Sequence, residues 1–446
     1  MTIQTQYRQK LVSAETAVKA VQSGNWVDYN FCLAQPYDLD IALAKRKAEL
    51  TDVKVRGGMR MHPLHILEDE GAEESFSYAS WHLTAYERKL CDAGRCTHMP
   101  LVYRNMPLFY RKSLHVDVAM FSVAPMDADG YFSFSFTNSA SRAIVDNAAV
   151  VIVEVNEKLP TIYHGYEHKI HISEVTHVVE SSNPDLPVIN PQAASLEDQT
   201  IAATIMERIR DGATVQLGIG ALPNAIGTMI VESDLKNLGM HTEMLVDAYM
   251  AMTKAGKITN THKGIDLGKG LFTFCCGSQA LYDWARDNDI LATGPSNYTN
   301  DPANIAKNPD MITVNSCVEC DILGQVTSET SGRRQISGTG GQLDFVNGGY
   351  LSPGGQSFVC CRATYADKNG TLHSRIRTSL PQYAVVTDPR SEMHCVVTEY
   401  GIADLAGRSI WERAERIINI AHPDFRDGLF REAETLGFWK RSNKRG

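Results

Sequence analysis

The chain has 446 residues, 43% hydrophobic and 21% charged, and 43 basic against 52 acidic side chains leave a net charge of −9. This is the composition of a folded protein with room for two or three domains, not of a disordered chain or a disulfide scaffold. Net acidity, with the only basic cluster at the extreme C-terminus, excludes nucleic acid as the main partner, and no apolar stretch reaches the ~20 residues of a membrane span. The opening MTIQTQYRQK lacks the apolar region of a signal peptide, so a cytoplasmic location is expected.

In chain order, Gly24 closes a first helical segment, an apolar strand follows, and Pro36 opens the next helix. VDVAMFSVAP (116–125) and AAVVIVEV (148–155) read as strands, and DADG at 127–130 before YFSFSF predicts a piece of antiparallel sheet. Pro184, Pro187 and Pro191 then break every regular pattern, which marks a linker between a lobe of residues 1–185 and a second of residues 195–446. Ser195 and Asp198 open an amphipathic helix with Ile201, Ile205 and Ile209 on one face, closed by Gly212. ATVQLGI (213–219) follows as a strand and Pro223 opens the next helix, so the order helix, Gly, strand, Pro, helix occurs in both lobes and points to a duplication.

Further on, GLFTFCC (270–276), MITVNS (311–316), SFVCCRA (357–363) and HCVVTEY (394–400) are expected strands, and 279–288 and 410–421 expected helices. Near-continuous apolar strands alternating with helices imply largely parallel sheets covered on both faces. The predicted class is α/β in two similar lobes. The ten cysteines include the vicinal pairs Cys275-Cys276 and Cys360-Cys361 inside apolar runs, and one Cys317-x-x-Cys320 without a second such pair. They read as reduced, small apolar side chains, and no metal site is expected.

Three segments carry chemistry. In Gln216-Leu-Gly-Ile-Gly-Ala-Leu-Pro-Asn224, Gly218 and Gly220 stand between a strand and a helix N-terminus, the usual ligand crevice of an open α/β sheet. A plain tight turn is the alternative. A nicotinamide site wants a third glycine where Pro223 stands, which argues against it. Glu243 lies beside Met244, Leu245 and Val246, where a carboxylate is costly unless bonded or working; a capping role is the alternative, and Asp247 reads as structural. The third segment, Ser337–Phe345, opens a run with five glycines between Gly338 and Gly349: a mobile surface loop, or backbone donors for a carbonyl oxygen.

GNWVDYNFCLAQPYDLDIALAKRK, GIGALPNA, HTEM, SNYTNDP, NSCVECDILGQV, SGTGGQLDF, VVTEYGIADL and AHPDFRD, in this order, resemble the class I coenzyme A transferases of the acetyl-CoA hydrolase/transferase family. The resemblance is closest to the butyryl-CoA:acetate and 4-hydroxybutyrate branch. It implies two NagB/RpiA-like open-sheet domains and a homodimer or higher homo-oligomer. Coenzyme A is then a substrate, with no permanently bound cofactor and no metal; the partners are an acyl-CoA and a short-chain carboxylate, not nucleic acid or membrane. It further implies that Glu243 carries CoA as a glutamyl thioester, that Gly218, Ile219, Gly220, Ala221 and Leu222 bind CoA, and that Val318, Gly338 and Gly341 contact it. Asn297 and Gly341 become donors around the thioester carbonyl, and Glu399 an acid near the nucleophile. Two positions depart from the family pattern: Ala406 where an arginine is common, and Gln356 in a GGQS where lysine is common. Hydrolysis of the CoA ester on the same scaffold, and 4-hydroxybutyryl or propionyl specificity, stay open as alternatives. A nicotinamide oxidoreductase or nucleotide-binding protein is the reading from a different class.

Overall fold

The apolar runs become the inner strands of two open sheets, and burial on both faces is why they are apolar throughout rather than alternating. Residues 2–286 and 288–441 are described in this computed structural model, so the basic tail beyond Arg441 lies outside the described residues. Strands β1 (Trp26–Phe31), β2 (Val53–Gly58), β3 (Phe76–Ser80), β4 (Thr97–His98), β5 (Val116–Val123), β6 (Ala148–Val155) and β7 (His177–Glu180) form the first sheet, ordered β7-β6-β5-β1-β2-β3-β4. Its pairings are parallel.

In the second sheet β8 (Thr214–Leu217), β9 (Gly239–Met240), β10 (Met311–Ser316), β11 (Gln356–Cys360) and β12 (Cys395–Thr398) run parallel in the order β9-β8-β10-β11-β12. β13 (Gly401–Asp404) closes that edge as an antiparallel strand. In both sheets the first strand lies inside, with later strands on either side of it. In the first sheet β2, β3 and β4 add outward on one side of β1 before the chain crosses over and adds β5, β6 and β7 on the other; in the second only β9 joins one side of β8, and β10 to β13 add outward on the other.

By their contacts the residues fall into two compact units. One comprises Met1–Asn190, Thr242–Leu245 and Lys269–Asn300; the other comprises Pro191–His241, Val246–Gly268 and Asp301–Gly446. The proline-rich stretch 181–195 has neither helix nor strand, and Ser195 caps the helix Leu196–Met206 through a reciprocal bond with Asp198. GLFTFCC joins neither large sheet. Its halves Gly270–Phe272 and Phe274–Cys275 pair instead with Leu291–Thr293 and Met244–Leu245. The DADG turn leads into Tyr131–Ser133, whose antiparallel partner is the distant Lys169–His171. The helix expected over 279–288 runs Gln279–Ala285, with Asp287 outside the described residues. No helix among the described residues is long and apolar enough to cross a membrane.

One buried acid of the first unit has a measurable consequence. Glu154, near the end of β6, accepts the backbone N–H groups of Tyr37 and Leu39, each at 2.9 Å, where helix α1 (Asp38–Ala44) begins. Burial pushes its pKa up to about 7, against the pull of those two donors. The folded protein therefore keeps a proton that the unfolded chain has released, between about pH 4.5 and 7, and stability falls as pH rises through that window. A shift of that size corresponds to roughly 3 kcal/mol. Glu154→Gln is expected to flatten this part of the profile, so its urea midpoint changes less than that of the parent between pH 5 and pH 8. Equal slopes for both proteins refute the assignment.

Candidate active site

Strand β8 ends at Leu217, whose N–H is taken by the Tyr249 hydroxyl at 2.7 Å, and the chain turns at once into helix α2 (Ala221–Glu232). Gly220 makes this turn at φ +118°, a conformation that side chains rarely adopt. A Cβ added at Gly218 or Gly220 meets nothing within 4 Å, and Ile219 between them is 46% exposed. The loop thus presents bare backbone, while Leu222 and Pro223 are buried and fix the first turn of α2 to the unit. Orphan N–H groups at a helix start, with the positive end of its dipole, suit an anionic group such as a phosphate.

The other sequence-predicted residues of this unit follow from the same sheet. Val318 lies just past β10; its N–H donates to the Thr327 carbonyl at 2.8 Å and its carbonyl accepts Arg375 Nη1 at 2.9 Å. Both backbone groups of Val318 are thus already engaged by other residues of the unit. Glu399 stands in the turn between β12 and β13, one carboxylate oxygen accepting the Ala363 N–H at 2.9 Å. Arg362, beside it, is paired at 2.6 Å with Asp198. Gly338 and Gly341 are buried in the loop before helix α4 (Gln342–Leu351), and Gly341 is its N-cap. Because β8, β10, β11 and β12 are parallel, the Gly218–Leu222 loop, Val318 and Glu399 all leave the sheet at its carboxyl edge. Helix α4 starts from that edge too, since it returns the chain to the beginning of β11.

Glu243 belongs to the first unit, in the segment Thr242–Leu245. Its carbonyl accepts the N–H groups of Thr273 and Phe274 at 3.0 and 3.2 Å, and Thr242 N–H donates to Leu271 at 3.0 Å. The backbone is thus held on both sides, and the half-buried carboxylate is left to its side-chain partners. Asn300, fully buried, donates Nδ2 to Glu243 Oε2 at 2.6 Å. The buried Tyr103, its hydroxyl 2.5 Å from Ser139 Oγ, has its pKa raised first by burial and then by the charge of Glu243.

Asn297 sits exposed in the single-turn helix α3 (Ser296–Thr299), at whose end Asn300 lies. The amide that reaches Glu243 is that of Asn300, which sequence reasoning missed. The motif SNYTNDP contains both asparagines, and only the turn of helix between them decides which one faces the carboxylate.

Among the described residues one cluster has metal-ligand composition: His394, Cys395 and Asp404, their ligand atoms within 4.8 Å of one another. It fits a metal poorly. His394 Nδ1 accepts the Ser357 N–H at 3.2 Å, so the neutral ring, which burial favours, carries its proton on Nε2 and offers no lone pair.

The acetyl-CoA hydrolase/transferase N-terminal domain matches residues 1–190 and the C-terminal domain of the same family matches residues 277–433. A butyryl-CoA:acetate CoA-transferase from Anaerostipes caccae is 47% identical over 446 residues, covering 100% of both chains. A 4-hydroxybutyrate coenzyme A transferase from Clostridium kluyveri is 38% identical over 428 residues, 96% of this chain and 97% of that one. The crystal structure of RipA from Yersinia pestis superimposes with a TM-score of 0.90 at 35% identity, covering 98% of this chain and 100% of that one. The chain belongs to the acetyl-CoA hydrolase/transferase family.

Proposed function

We propose that this protein transfers coenzyme A from a short-chain acyl-CoA, butyryl-CoA foremost, to a carboxylate such as acetate, with Glu243 as the covalent carrier. The observation that carries this reading is the half-buried carboxylate of Glu243, whose Oε2 accepts the amide of the fully buried Asn300 at 2.6 Å. The end-to-end likeness to a butyryl-CoA:acetate CoA-transferase supports the choice of substrates.

In the first step a carboxylate oxygen of Glu243 attacks the thioester carbonyl carbon, the C–S bond breaks, and CoA leaves as thiolate, with an acyl-glutamyl anhydride left on the protein. The thiolate attacks the glutamyl carbonyl carbon; the C–O bond breaks, the first acid departs as carboxylate, and glutamyl-CoA remains. The acceptor acid runs both steps in reverse. Gly218 through Leu222 hold CoA, with Val318 and Gly338 as further contacts, and the Gly341 N–H donates to the oxyanion of the acyl group. Glu399 stays bonded to Ala363 beside Arg362 as a supporting acid, and Asn297 is read as a further polar contact of the thioester.

Because one acid must leave before the next enters, double-reciprocal plots of rate against butyryl-CoA at several acetate concentrations are expected to be parallel. Omitting acetate is expected to leave only slow hydrolysis. Intersecting lines refute the covalent route, and equal turnover with and without acetate identifies a hydrolase.

A further inference from the structure

The glycine loop of the second unit rests on two buried acids that take no part in the proposed transfer. Thr339, between Gly338 and Gly340, donates its hydroxyl to the Glu329 carboxylate, 3.3 Å from each oxygen. Thr387 donates to the same carboxylate at 3.1 Å, and the N–H groups of Ile336 and Ser337 reach the Glu329 carbonyl at 2.9 and 3.2 Å. On the far flank Gln342, next to Gly341, donates Nε2 to Asp388 Oδ2 at 2.6 Å and to Ser328 Oγ at 2.8 Å. Asp388 is itself fixed by a backbone bridge to Val326.

Glu329 is 3% exposed and Asp388 0%, and a carboxylate so deeply buried is costly unless its bonds do something. The bonds here go to both ends of one loop. The loop needs such hold, since Gly340 is at φ +55° and little of it is regular structure. We infer that Glu329 and Asp388 are positioning residues, which act through Thr339 and Gln342 to keep the Gly341 N–H aimed at the thioester oxygen. This rests on the reading of Gly341 as a donor given above.

The test is steady-state transfer by Thr339→Val, Thr339→Ser, Asp388→Ala, Asp388→Asn and Gly341→Val, each with a thermal melt. Thr339→Val keeps the shape and loses the donor; Asp388→Ala loses the acceptor. Each is expected to lower kcat by ~10–10²-fold, the size of effect that a misplacement of ~1 Å has, with KM for the acyl-CoA and Tm little changed. Thr339→Ser retains the hydroxyl and Asp388→Asn an acceptor oxygen, and both are expected to recover most of kcat. Asp388 Oδ1 has no hydrogen-bond partner among the described residues, so the amide breaks no existing bond there. If Thr339→Val and Asp388→Ala keep kcat while Gly341→Val loses it, the inference falls and the role of Gly341 stands. If Gly341→Val keeps transfer, both fall. A kcat loss that tracks a loss of Tm across the set also overturns the inference.

Discussion

Glu243→Ala is expected to abolish transfer, with no carboxylate left to take the acyl group, while the fold survives because the contacts of that segment are made by its backbone. Glu243→Asp is the sharper variant. It keeps the charge but withdraws it by one methylene, ~1.5 Å, and displacement on that scale can cost ~10²-fold. The shortened side chain also draws away from Asn300 and leaves space for water. Residual turnover is therefore expected to shift from acetate transfer towards hydrolysis, read as free CoA released without acetyl-CoA formed. An aspartate variant with unchanged rate and unchanged partition refutes Glu243 as the carrier.

Asn300 gives the second large effect. A hydrogen bond to a charged group contributes about 1.5–3 kcal/mol, so Asn300→Ala is expected to lower kcat by ~10–10²-fold. Asn300→Asp is expected to be worse, although it is nearly isosteric. It sets a second carboxylate where the amide stood, 2.6 Å from Oε2, and two like charges cannot both ionise at that distance. The pair retains a proton, and a protonated Glu243 does not attack. The asparagine-to-aspartate enzyme should regain activity as pH rises, whereas the alanine variant should follow the parent profile. Parent-like rates in both variants mean that Asn300 does not orient the nucleophile.

How much of this was legible in the sequence depends on what each residue does. β5, β6, β10 and β12 declared themselves because a strand buried on both faces must be apolar throughout. β2 (VKVRGG) did not, since its Arg56 is buried by pairing with Asp28 at 3.3 Å, and a polar residue solved by a partner far along the chain looks like a surface residue. GLFTFCC looked like a strand of a large sheet and became two short ones, because run length says nothing about partners. At the site, Gly220 and the helix after it were readable from local rules alone. Asn300 was not: its role is set by a neighbour 57 residues away along the chain, and no spacing rule connects the two. Glu329 and Asp388 were silent for the same reason.

The most direct measurement is mass spectrometry of the protein after incubation with butyryl-CoA and no acceptor, followed by proteolysis. The account predicts CoA in thioester linkage on the peptide containing Glu243, discharged as acetyl-CoA when acetate is added, and absent from Glu243→Ala. An adduct mapped to Glu399 or to a cysteine, or turnover without any adduct, contradicts it.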